Sequence, residues 1–409
     1  MGRGRVSIEN RLREIAGRAA VTAAADGIPR VAPDSVNGVA AVLGAARESG
    51  WRVRIEGAGS FVPPDAPADL ALATTRLAAL TDVRPEDLVA TVQAGIPWAG
   101  LEAELAERGA WLAIDPPGSA RRTLGSVIAT ATTGPLRAAF GPPRDHVLGL
   151  TFVTGDGRVV RCGGRVMKNV AGYDLAKLHS GGFGAFGVIV EAHVRLRTLP
   201  RADRTLVRDG GRAELLDLAD ELRAAGFAAT AIELLSPGAA GRHDERWLLA
   251  ARLAGSGAAV GAAENALRAG NQWTALEAGA AHALWRGAAE GTLRHPVTVR
   301  AGGLPAAMED LIDLVEHQLD AGWISASLES GSLRWSGTAT AERLRHLRRE
   351  LAAREVPLTL ERAPWAVRGA VGHFGAYREG AAPLVAGLLR AFDPNASLVT
   401  AVAAEDRDR

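Results

Sequence analysis

Cysteine is almost absent from this chain, because Cys162 is the only one among 409 residues. A single cysteine forms no disulfide within the chain and cannot supply a multi-cysteine metal site or an iron–sulfur cluster. Long apolar runs are also lacking, and none reaches the roughly 18 residues that a membrane span requires. The opening sequence "MGRGRVSIENRLREIAG" has no continuous apolar core of the kind found in signal peptides. These absences predict a cytoplasmic protein without a membrane span.

An excess of charge of either sign is lacking as well. The chain has 47 basic and 46 acidic residues, and its formal net charge is +1. Basic residues are balanced by acidic ones along the chain, so we expect no nucleic-acid partner. The acidic residues show no metal-ligand spacing on a helix and no "HExxH" motif occurs, so we expect no metal site. The length allows two or three domains, each with its own core.

Lysine is the scarce basic residue. Lys168 and Lys177 are the only two, and both lie in the stretch "GGRVMKNVAGYDLAKLHSGGFGAFGVI". A chain that uses arginine everywhere else keeps lysine where a compact ammonium is needed rather than a planar guanidinium. Lys177 follows Asp174 by three residues on a predicted helix, which favours a structural ion pair. For Lys168 we predict a functional contact with a negatively charged group.

The patterns of helices and strands change after Pro200. Before it, a helix pattern such as "DSVNGVAAVLGAARESG" alternates with short strand patterns such as "WRVRIEG". After it, the order strand, helix, strand, strand, helix occurs twice, which is typical of antiparallel hairpins rather than of βαβ winding. We therefore predict an α+β fold with two domains, 1–200 and 201–409.

Three segments rich in small residues invite a phosphate-binding interpretation. The first, "RIEGAGSFVPP", fails the dinucleotide fingerprint of a Rossmann fold because its third glycine position is Val62 and prolines follow. A Walker A loop is excluded because neither lysine is followed by serine or threonine. What remains is a strand that leads into a tight loop whose N–H groups could line a diphosphate site. Two glycines after a strand also make an ordinary turn, so this segment alone leaves both interpretations open.

The other two segments extend the same chemistry. "DPPGSARRTLGSVIATATTGPLRAAFGPPRDHVLGL" spans residues 115–150, and the third segment is the lysine-containing stretch of residues 163–189, which ends in "GGFGAFGVI". Prolines favour an extended backbone, and small residues let a flat ligand lie directly on the main chain. A loop region as long as the first of these is usually functional when it is not disordered.

In their order, the three segments resemble the FAD-binding domain of the vanillyl-alcohol-oxidase flavoproteins, also called the PCMH type. "RVMKNVAGYDLAKL" and the chain length are similar to the FAD-binding subunit of bacterial glycolate oxidase (glycolate dehydrogenase). The resemblance implies a PCMH-type domain of two α+β subdomains, followed by a cap domain with an antiparallel sheet. It also implies noncovalent FAD, because "GSFVPP" lacks the histidine or cysteine that attaches the flavin in some relatives.

The resemblance further implies which residues hold FAD. Those expected to wrap the pyrophosphate follow the first strand: Gly57, Ala58, Gly59 and Ser60. Those expected along the ribityl chain and the flavin come from the second segment: Pro117, Gly118, Thr123, Leu124, Gly125 and Ser126. The same wall is expected to continue with Thr130, Thr133 and Gly134. Main-chain groups at the edge of the adenine or the flavin are expected from Gly187, Val188 and Ile189.

Three residues are candidates for catalysis. Lys168 could neutralise the diphosphate, the reduced flavin or a substrate carboxylate. His373, in "AVGHFGAY", could face the flavin from the cap domain. Arg300, in the strand-like "VTVRAGG", could bind a carboxylate with two parallel hydrogen bonds.

The implied function is that of an FAD-dependent oxidoreductase subunit that acts on the CH–OH group of a small 2-hydroxy acid. Electrons would pass to a sister flavoprotein subunit and an iron–sulfur subunit, which could hold the chain at the inner membrane. Catalytic relatives often carry an "HxGDGNxH"-like motif in the cap, and this chain has none. Two alternatives therefore stay open: a flavin-binding or assembly subunit without turnover of its own, and a degenerate fold used only for protein contact.

Overall fold

The residues that the structure describes form two five-stranded sheets, one two-stranded sheet and one eight-stranded sheet. The computed structural model describes residues 2–60, 65–118, 120, 122–165, 174–270, 272–291, 294–375 and 380–400. The first sheet has the strand order β1-β2-β4-β3-β20. Its strands are β1 (Val21–Ala23), β2 (Pro29–Val31), β3 (Val53–Glu56), β4 (Leu70–Ala73) and β20 (Leu398–Val399). Helices α1 (Gly2–Ala16) and α2 (Val36–Ser49) belong to the same part of the chain.

Helix α2 illustrates how the sequence sets these elements. It begins after Ser35, whose side chain accepts a hydrogen bond from the N–H of Gly38. It ends at Gly50, which has a left-handed conformation with φ of 68°. Buried residues on one face, among them Val39 and Leu43, join the core beside the first sheet.

The second sheet is antiparallel throughout, with the order β5-β6-β10-β8-β9. Its strands are β5 (Leu80–Arg84), β6 (Val89–Gln93), β8 (Val147–Val153), β9 (Val159–Gly163) and β10 (Val188–Arg195). A short pair joins β7 (Ala110–Trp111) to β11 (Arg197–Thr198). The helices of this part are α3 (Trp98–Ala106), α4 (Leu124–Thr130), α5 (Arg137–Phe140) and α6 (Leu175–His179).

The third sheet has eight strands in the order β15-β12-β14-β13-β17-β18-β16-β19. These strands are β12 (Ala202–Gly210), β13 (Ala231–Leu235), β14 (Trp247–Gly255), β15 (Thr274–Ala275), β16 (Val297–Gly302), β17 (Trp323–Ser327), β18 (Ser332–Gly337) and β19 (Leu358–Arg362). The helices of this half are α7 (Arg212–Ala224), α8 (Gly257–Gly270), α9 (Ala278–Glu290), α10 (Met308–Leu319), α11 (Ala341–Ala352), α12 (Trp365–Val371) and α13 (Ala381–Phe392). We call this sheet the cap sheet.

The two faces of the cap sheet differ in chemistry because side chains alternate along each strand. One face is apolar and packs under the helices, with Leu234, Ile324 and Trp335 in the core. The other face, here called the polar face, is polar in its central and β19-side strands. Its polar residues include Glu233, Thr298, Arg300, Ser325, Ser327, Arg334, Ser336, Thr359 and Glu361. Arg334 Nη2 donates to the carbonyl of Thr133 at 3.1 Å, so the polar face meets the first half of the chain.

The predicted α+β fold with an antiparallel cap is confirmed. The repeated order is present as β12-α7-β13-β14-α8 and again as β16-α10-β17-β18-α11. The division into 1–200 and 201–409 stays a prediction. Strand β20 returns to the first sheet and pairs in parallel with β3, a pairing that a simple division at residue 200 does not contain.

None of the helices in the described ranges combines the length and the apolar character needed to cross a bilayer.

Candidate cofactor-binding site

The three small-residue segments line one cleft of the first half of the chain. Of the residues predicted to hold FAD, nine lie in its wall: Gly57, Ala58, Gly59, Ser60, Gly125, Ser126, Thr130, Gly187 and Ile189. Segments more than a hundred residues apart in the sequence therefore meet at one place. The wall is built largely from glycine and small polar residues, as close main-chain contact with a dinucleotide requires.

The first loop follows β3 and approaches α4 closely. A Cβ atom added to Gly57 would lie 2.3 Å from Thr123 Oγ1, so the contact leaves no room for a side chain. Gly59 has a φ of +66°, a conformation that glycine adopts without strain. Both glycines of "EGAG" are therefore required by geometry rather than by turn formation alone.

A buried group of charged residues fixes the end of β3. Arg54 is 5% exposed and donates through Nε to Glu56 Oε1 at 3.0 Å and through Nη1 to Asp26 Oδ2 at 2.7 Å. Arg30 Nε donates to the other oxygen of Glu56 at 3.2 Å. Arg54 and Glu56 also line the cleft, and the sequence analysis did not identify either. Their alternation along β3 was the available signal, since charged side chains are rarely buried without a partner.

The second segment enters the cleft through α4. Thr123 precedes the helix, and its Oγ1 accepts a hydrogen bond from the N–H of Ser126 at 3.4 Å. The N–H of Gly125 donates to the carbonyl of Ala94 at 2.7 Å, and a Cβ on Gly125 would lie 2.8 Å from the Cβ of Ala94. These contacts tie α4 to the end of β6 and hold Ser126 at the cleft.

The third segment contributes Gly187 and Phe183. Gly187 has a φ of +130°, and a Cβ there would lie 2.4 Å from the carbonyl oxygen of Val153. Phe183, which the sequence analysis did not single out, lines the cleft and also packs against His373, with ring centroids 3.9 Å apart. Val188 instead points into the core behind the cleft. Any contact of Val188 with a ligand would therefore come from its main chain.

The remaining predicted cofactor residues lie outside the cleft lining. Leu124 is buried in the core. Gly118 has a φ of +68°, and the carbonyl of Pro117 accepts a hydrogen bond from Arg122 Nη1 at 3.3 Å. The carbonyl of Thr133 accepts a hydrogen bond from the cap sheet. Thr123 and Gly134, which were also predicted to hold FAD, likewise lie outside the cleft lining.

Asp115 organises the turn that holds Thr133 and Gly134. Its Oδ1 accepts from the N–H of Gly134 at 3.0 Å, and its Oδ2 accepts from the N–H of Leu136 at 3.0 Å. Burial raises the pKa of Asp115 to about 6, although these two hydrogen bonds act in the opposite direction. The turn is therefore held by a carboxyl whose charge changes near neutral pH.

Of the two lysines, only Lys177 lies in the part of the chain that the structure describes. Lys168 lies outside the described residues, so its predicted role stays a prediction. Lys177 Nζ lies 3.0 Å from Asp174 Oδ2, and both side chains are exposed. The predicted structural ion pair is confirmed.

His373 is buried at the boundary between the cap and the cleft. Arg368 Nη1 approaches its Nδ1 at 2.7 Å, and because a guanidinium only donates, Nδ1 acts as the acceptor. Burial and the charges of Arg368, Arg348 and Arg300 hold the pKa of His373 well below its ordinary value. This imidazole is neutral, and it touches the cleft residue Phe183. Its predicted catalytic role stays a prediction.

Arg300 belongs to the polar face of the cap sheet, beside Arg334 on the neighbouring strand. Its Nε donates to Glu361 Oε1 at 2.9 Å, and its side chain is 28% exposed. Its Nη atoms make no hydrogen bond with the residues that the structure describes. Burial and the nearby charges of Arg300 and Arg144 lower the pKa of Arg137. Positive charge therefore accumulates on this side of the sheet.

Glu233 is a second buried carboxyl on the polar face. It is 3% exposed, and Ser325 donates a hydrogen bond to its Oε1. Burial raises its pKa to about 8, and the nearby Asp115 acts in the same direction. Hydrogen bonding from Ser325 and the charge of Arg334 oppose this shift without cancelling it. The carboxyl is therefore mostly protonated at neutral pH.

We expect Glu233 to make the folded state less stable as the pH rises. Between pH 4.5 and about 8 the unfolded chain releases this proton and the folded chain keeps it, so the free energy of unfolding falls by about 1.4 kcal/mol per pH unit. Glu233→Gln removes this dependence. The Tm of the variant minus the Tm of the parent should increase steadily from pH 5 to pH 8. Two parallel curves of Tm against pH would contradict the assignment.

Comparison with known proteins agrees with this geometry. Residues 29–163 match the family model described as an FAD binding domain. The glycolate oxidase subunit GlcE of Escherichia coli (strain K12) is 41% identical over 126 residues, which are 31% of this chain and 36% of that protein. A D-lactate dehydrogenase of Archaeoglobus fulgidus is 33% identical over 177 residues, 42% of this chain and 39% of that protein. These matches span less than half of the length of the curated relatives.

A solved structure matches the whole chain. The crystal structure of p-cresol methylhydroxylase with substrate bound has a TM-score of 0.76 and 13% sequence identity, and covers 100% of this chain and 98% of that one. Residues 29–163 therefore match an FAD binding domain, the chain shares the fold of p-cresol methylhydroxylase, and part of it is similar to a glycolate oxidase subunit and a D-lactate dehydrogenase. The prediction of FAD as cofactor is confirmed, and its noncovalent attachment stays a prediction.

Proposed function

We propose that the chain is an FAD-dependent oxidoreductase subunit that oxidises the CH–OH group of a small 2-hydroxy acid such as glycolate. The observation that carries the proposal is the cleft in which residues 57–60, 125–130 and 183–189 meet. The glycines at its narrowest contacts fit a dinucleotide held by the main chain, because a Cβ at Gly57 or Gly187 would clash. Bound FAD supplies acceptance of a hydride or of electrons.

The residues of the chain bind and orient the reactants in this proposal. The loop Gly57–Ser60 and the wall at Gly125, Ser126 and Thr130 hold the dinucleotide. Arg300 binds the substrate carboxylate with its Nη atoms, since its Nε is occupied by Glu361. His373 stays neutral and supports Phe183 against the cleft.

The partners are proposed to be a sister flavoprotein subunit and an iron–sulfur subunit. This proposal is supported by the relation to glycolate oxidase subunits and by the cysteine count, because one cysteine cannot ligate a cluster. We propose a cytoplasmic location, with attachment to the inner membrane through those partners.

A second candidate is a flavin-binding or assembly subunit whose catalytic centre lies in the sister flavoprotein. The absence of an "HxGDGNxH"-like motif from the sequence favours it. It shares the cofactor cleft with the first candidate and differs only in whether this chain reduces its own flavin.

Anaerobic titration of the purified protein separates the candidates. We expect glycolate or D-lactate to bleach the bound flavin, whereas acetate, which lacks the hydroxyl, should not. Bound flavin that no hydroxy acid bleaches would favour the assembly subunit. A colourless protein that takes up no FAD would contradict both.

Arg300→Gln tests the carboxylate contact. We expect the apparent KM for the hydroxy acid to rise about tenfold or more, because a charge-assisted hydrogen bond is lost. FAD content should be unchanged. Arg204→Gln, which changes an exposed arginine on β12 of the same sheet, is the control and should have no effect. An unchanged KM in Arg300→Gln would reject the contact.

A further inference from the structure

Arg122 lies directly behind the cleft wall and is 1% exposed. Its Nε donates to Ser126 Oγ at 3.0 Å, and its Nη2 donates to the carbonyl of Ser126 at 2.8 Å. Nη2 also donates to Thr130 Oγ1 at 2.6 Å. Nη1 donates to the carbonyl of Pro117 at 3.3 Å and to Thr132 Oγ1. One side chain therefore connects residues on both sides of α4, and two of its partners, Ser126 and Thr130, line the cleft.

These contacts determine the direction of one hydroxyl group. Ser126 Oγ accepts from Arg122, and because a guanidinium offers only donors, the proton of Ser126 Oγ must point elsewhere. No residue in the described part of the chain accepts it. Ser126 lines the cleft and is half-buried, so the cleft is the open direction. Thr130 differs, because its hydroxyl can donate to the carbonyl of Ser126 at 2.7 Å.

The charge of Arg122 acts in the same direction. Burial lowers the pKa of its guanidinium to about 9, with Glu361 opposing the shift and Arg334 adding to it. A group with that pKa still carries its positive charge at neutral pH. The five contacts described above are all to neutral oxygens, and they hold the guanidinium in one orientation behind the wall. A cation behind the wall favours negative charge in the cleft.

We propose that Arg122 is a positioning residue for FAD, which holds the Ser126 hydroxyl as a hydrogen-bond donor into the cleft and keeps a positive charge behind it. The proposal concerns the cofactor alone. It requires FAD in this cleft and does not depend on the substrate, so failure of every hydroxy acid to bleach the flavin leaves it standing.

The test measures binding of FAD to the FAD-free protein, followed by the fluorescence of the flavin, in three variants. Ser126→Ala should weaken FAD binding about tenfold, as expected for one lost hydrogen bond. Arg122→Met should weaken it about a hundredfold, since both the donor alignment and the charge are lost. Arg122→Lys, which keeps the charge, should fall between them. Thr132→Val is the matched control, because it also removes a hydroxyl acceptor of Arg122 but one outside the cleft lining. It should change the affinity less than twofold.

The midpoint potential of the bound flavin distinguishes positioning from simple support of the wall. We expect Arg122→Met to bind reduced flavin about tenfold less favourably relative to oxidised flavin. The midpoint potential should therefore fall by about 30 mV for a two-electron couple. Arg122→Lys should keep the parent potential. If Arg122→Met lowers only the Tm, with affinity and potential unchanged, the proposal is wrong. If Arg122→Met does not fold, unchanged FAD affinity in Ser126→Ala and in Arg122→Lys overturns it equally.

Discussion

Gly57→Ala is expected to reduce FAD binding by at least a hundredfold while leaving the fold intact. The new Cβ would lie 2.3 Å from Thr123 Oγ1, a distance that real Cβ contacts do not show. Thr123 cannot easily turn away, because its Oγ1 accepts the hydrogen bond that begins α4. The loop must therefore move away from the wall, and a displacement of about 1 Å is enough to disrupt a site built on main-chain contacts. Titration of the FAD-free variant with FAD measures the loss.

A second substitution makes this test specific. Thr123→Ala removes the Oγ1 atom that blocks the alanine at residue 57, so the double variant should regain part of the lost affinity. Thr123→Ala alone costs about 1 kcal/mol of stability through the lost helix cap. Gly44→Ala is the control, since a Cβ at that helical glycine meets no atom within 4 Å. A double variant as defective as Gly57→Ala would show that the clash is not the cause.

The cleft itself was predictable from the sequence because its requirement is local. Close main-chain contact needs small residues, and the sequence of each segment is rich in them, as in "EGAGS" and "TLGSVIAT". The repeated order of strand, helix, strand, strand, helix after residue 200 likewise predicted antiparallel strands in the second half of the chain. Both predictions depend on patterns that are visible along the sequence without knowledge of contacts between distant segments.

What the sequence did not reveal depends on contacts between distant segments. The sequence shows a glycine at residue 57 but not that Thr123 fills the space beside it. In the sequence Arg122 does not differ from the other arginines, and only the structure shows that oxygen atoms surround its guanidinium. The sequence likewise does not show that Phe183 lines the cleft or that it packs against His373, which lies 190 residues later. No local period encodes such meetings, because they arise only when separate elements pack.

The ion pairs on the polar face of the cap sheet also join distant segments, so the sequence alone did not predict them. Arg300 was predicted from its strand as a carboxylate ligand, and the structure pairs its Nε with Glu361 of the chain itself. Arg334, 27 residues from Glu361 in sequence, donates to the other carboxylate oxygen through Nε at 2.8 Å. Glu361 is 1% exposed and Arg334 is 7% exposed. Arg334 also donates to the carbonyl of Thr133, so the pair connects the cap sheet to the first half of the chain.

Glu361→Gln is expected to destabilise the protein by about 3–5 kcal/mol, because it leaves the charge of Arg334 buried beside a neutral amide. Burial alone would raise the pKa of Glu361, but the charges of Arg334 and Arg300 and their hydrogen bonds outweigh it and hold that pKa at about 2. A lowered pKa stabilises the folded state fully above the ordinary value of 4.5, and this stabilisation is lost as the pH falls toward 2.

Thermal unfolding across pH separates this charge effect from a packing effect. The parent should lose Tm relative to Glu361→Gln as the pH falls from 5 to 2, so the two curves converge at acid pH. Glu350→Gln is the control, because Glu350 of α11 forms an exposed pair with Arg354, which follows the helix. It should change stability by only ~0.5 kcal/mol. A difference in Tm between Glu361→Gln and the parent that stays constant at every pH would contradict the charge effect. It would show that the carboxylate contributes through packing, and that other groups neutralise the two arginines on the polar face.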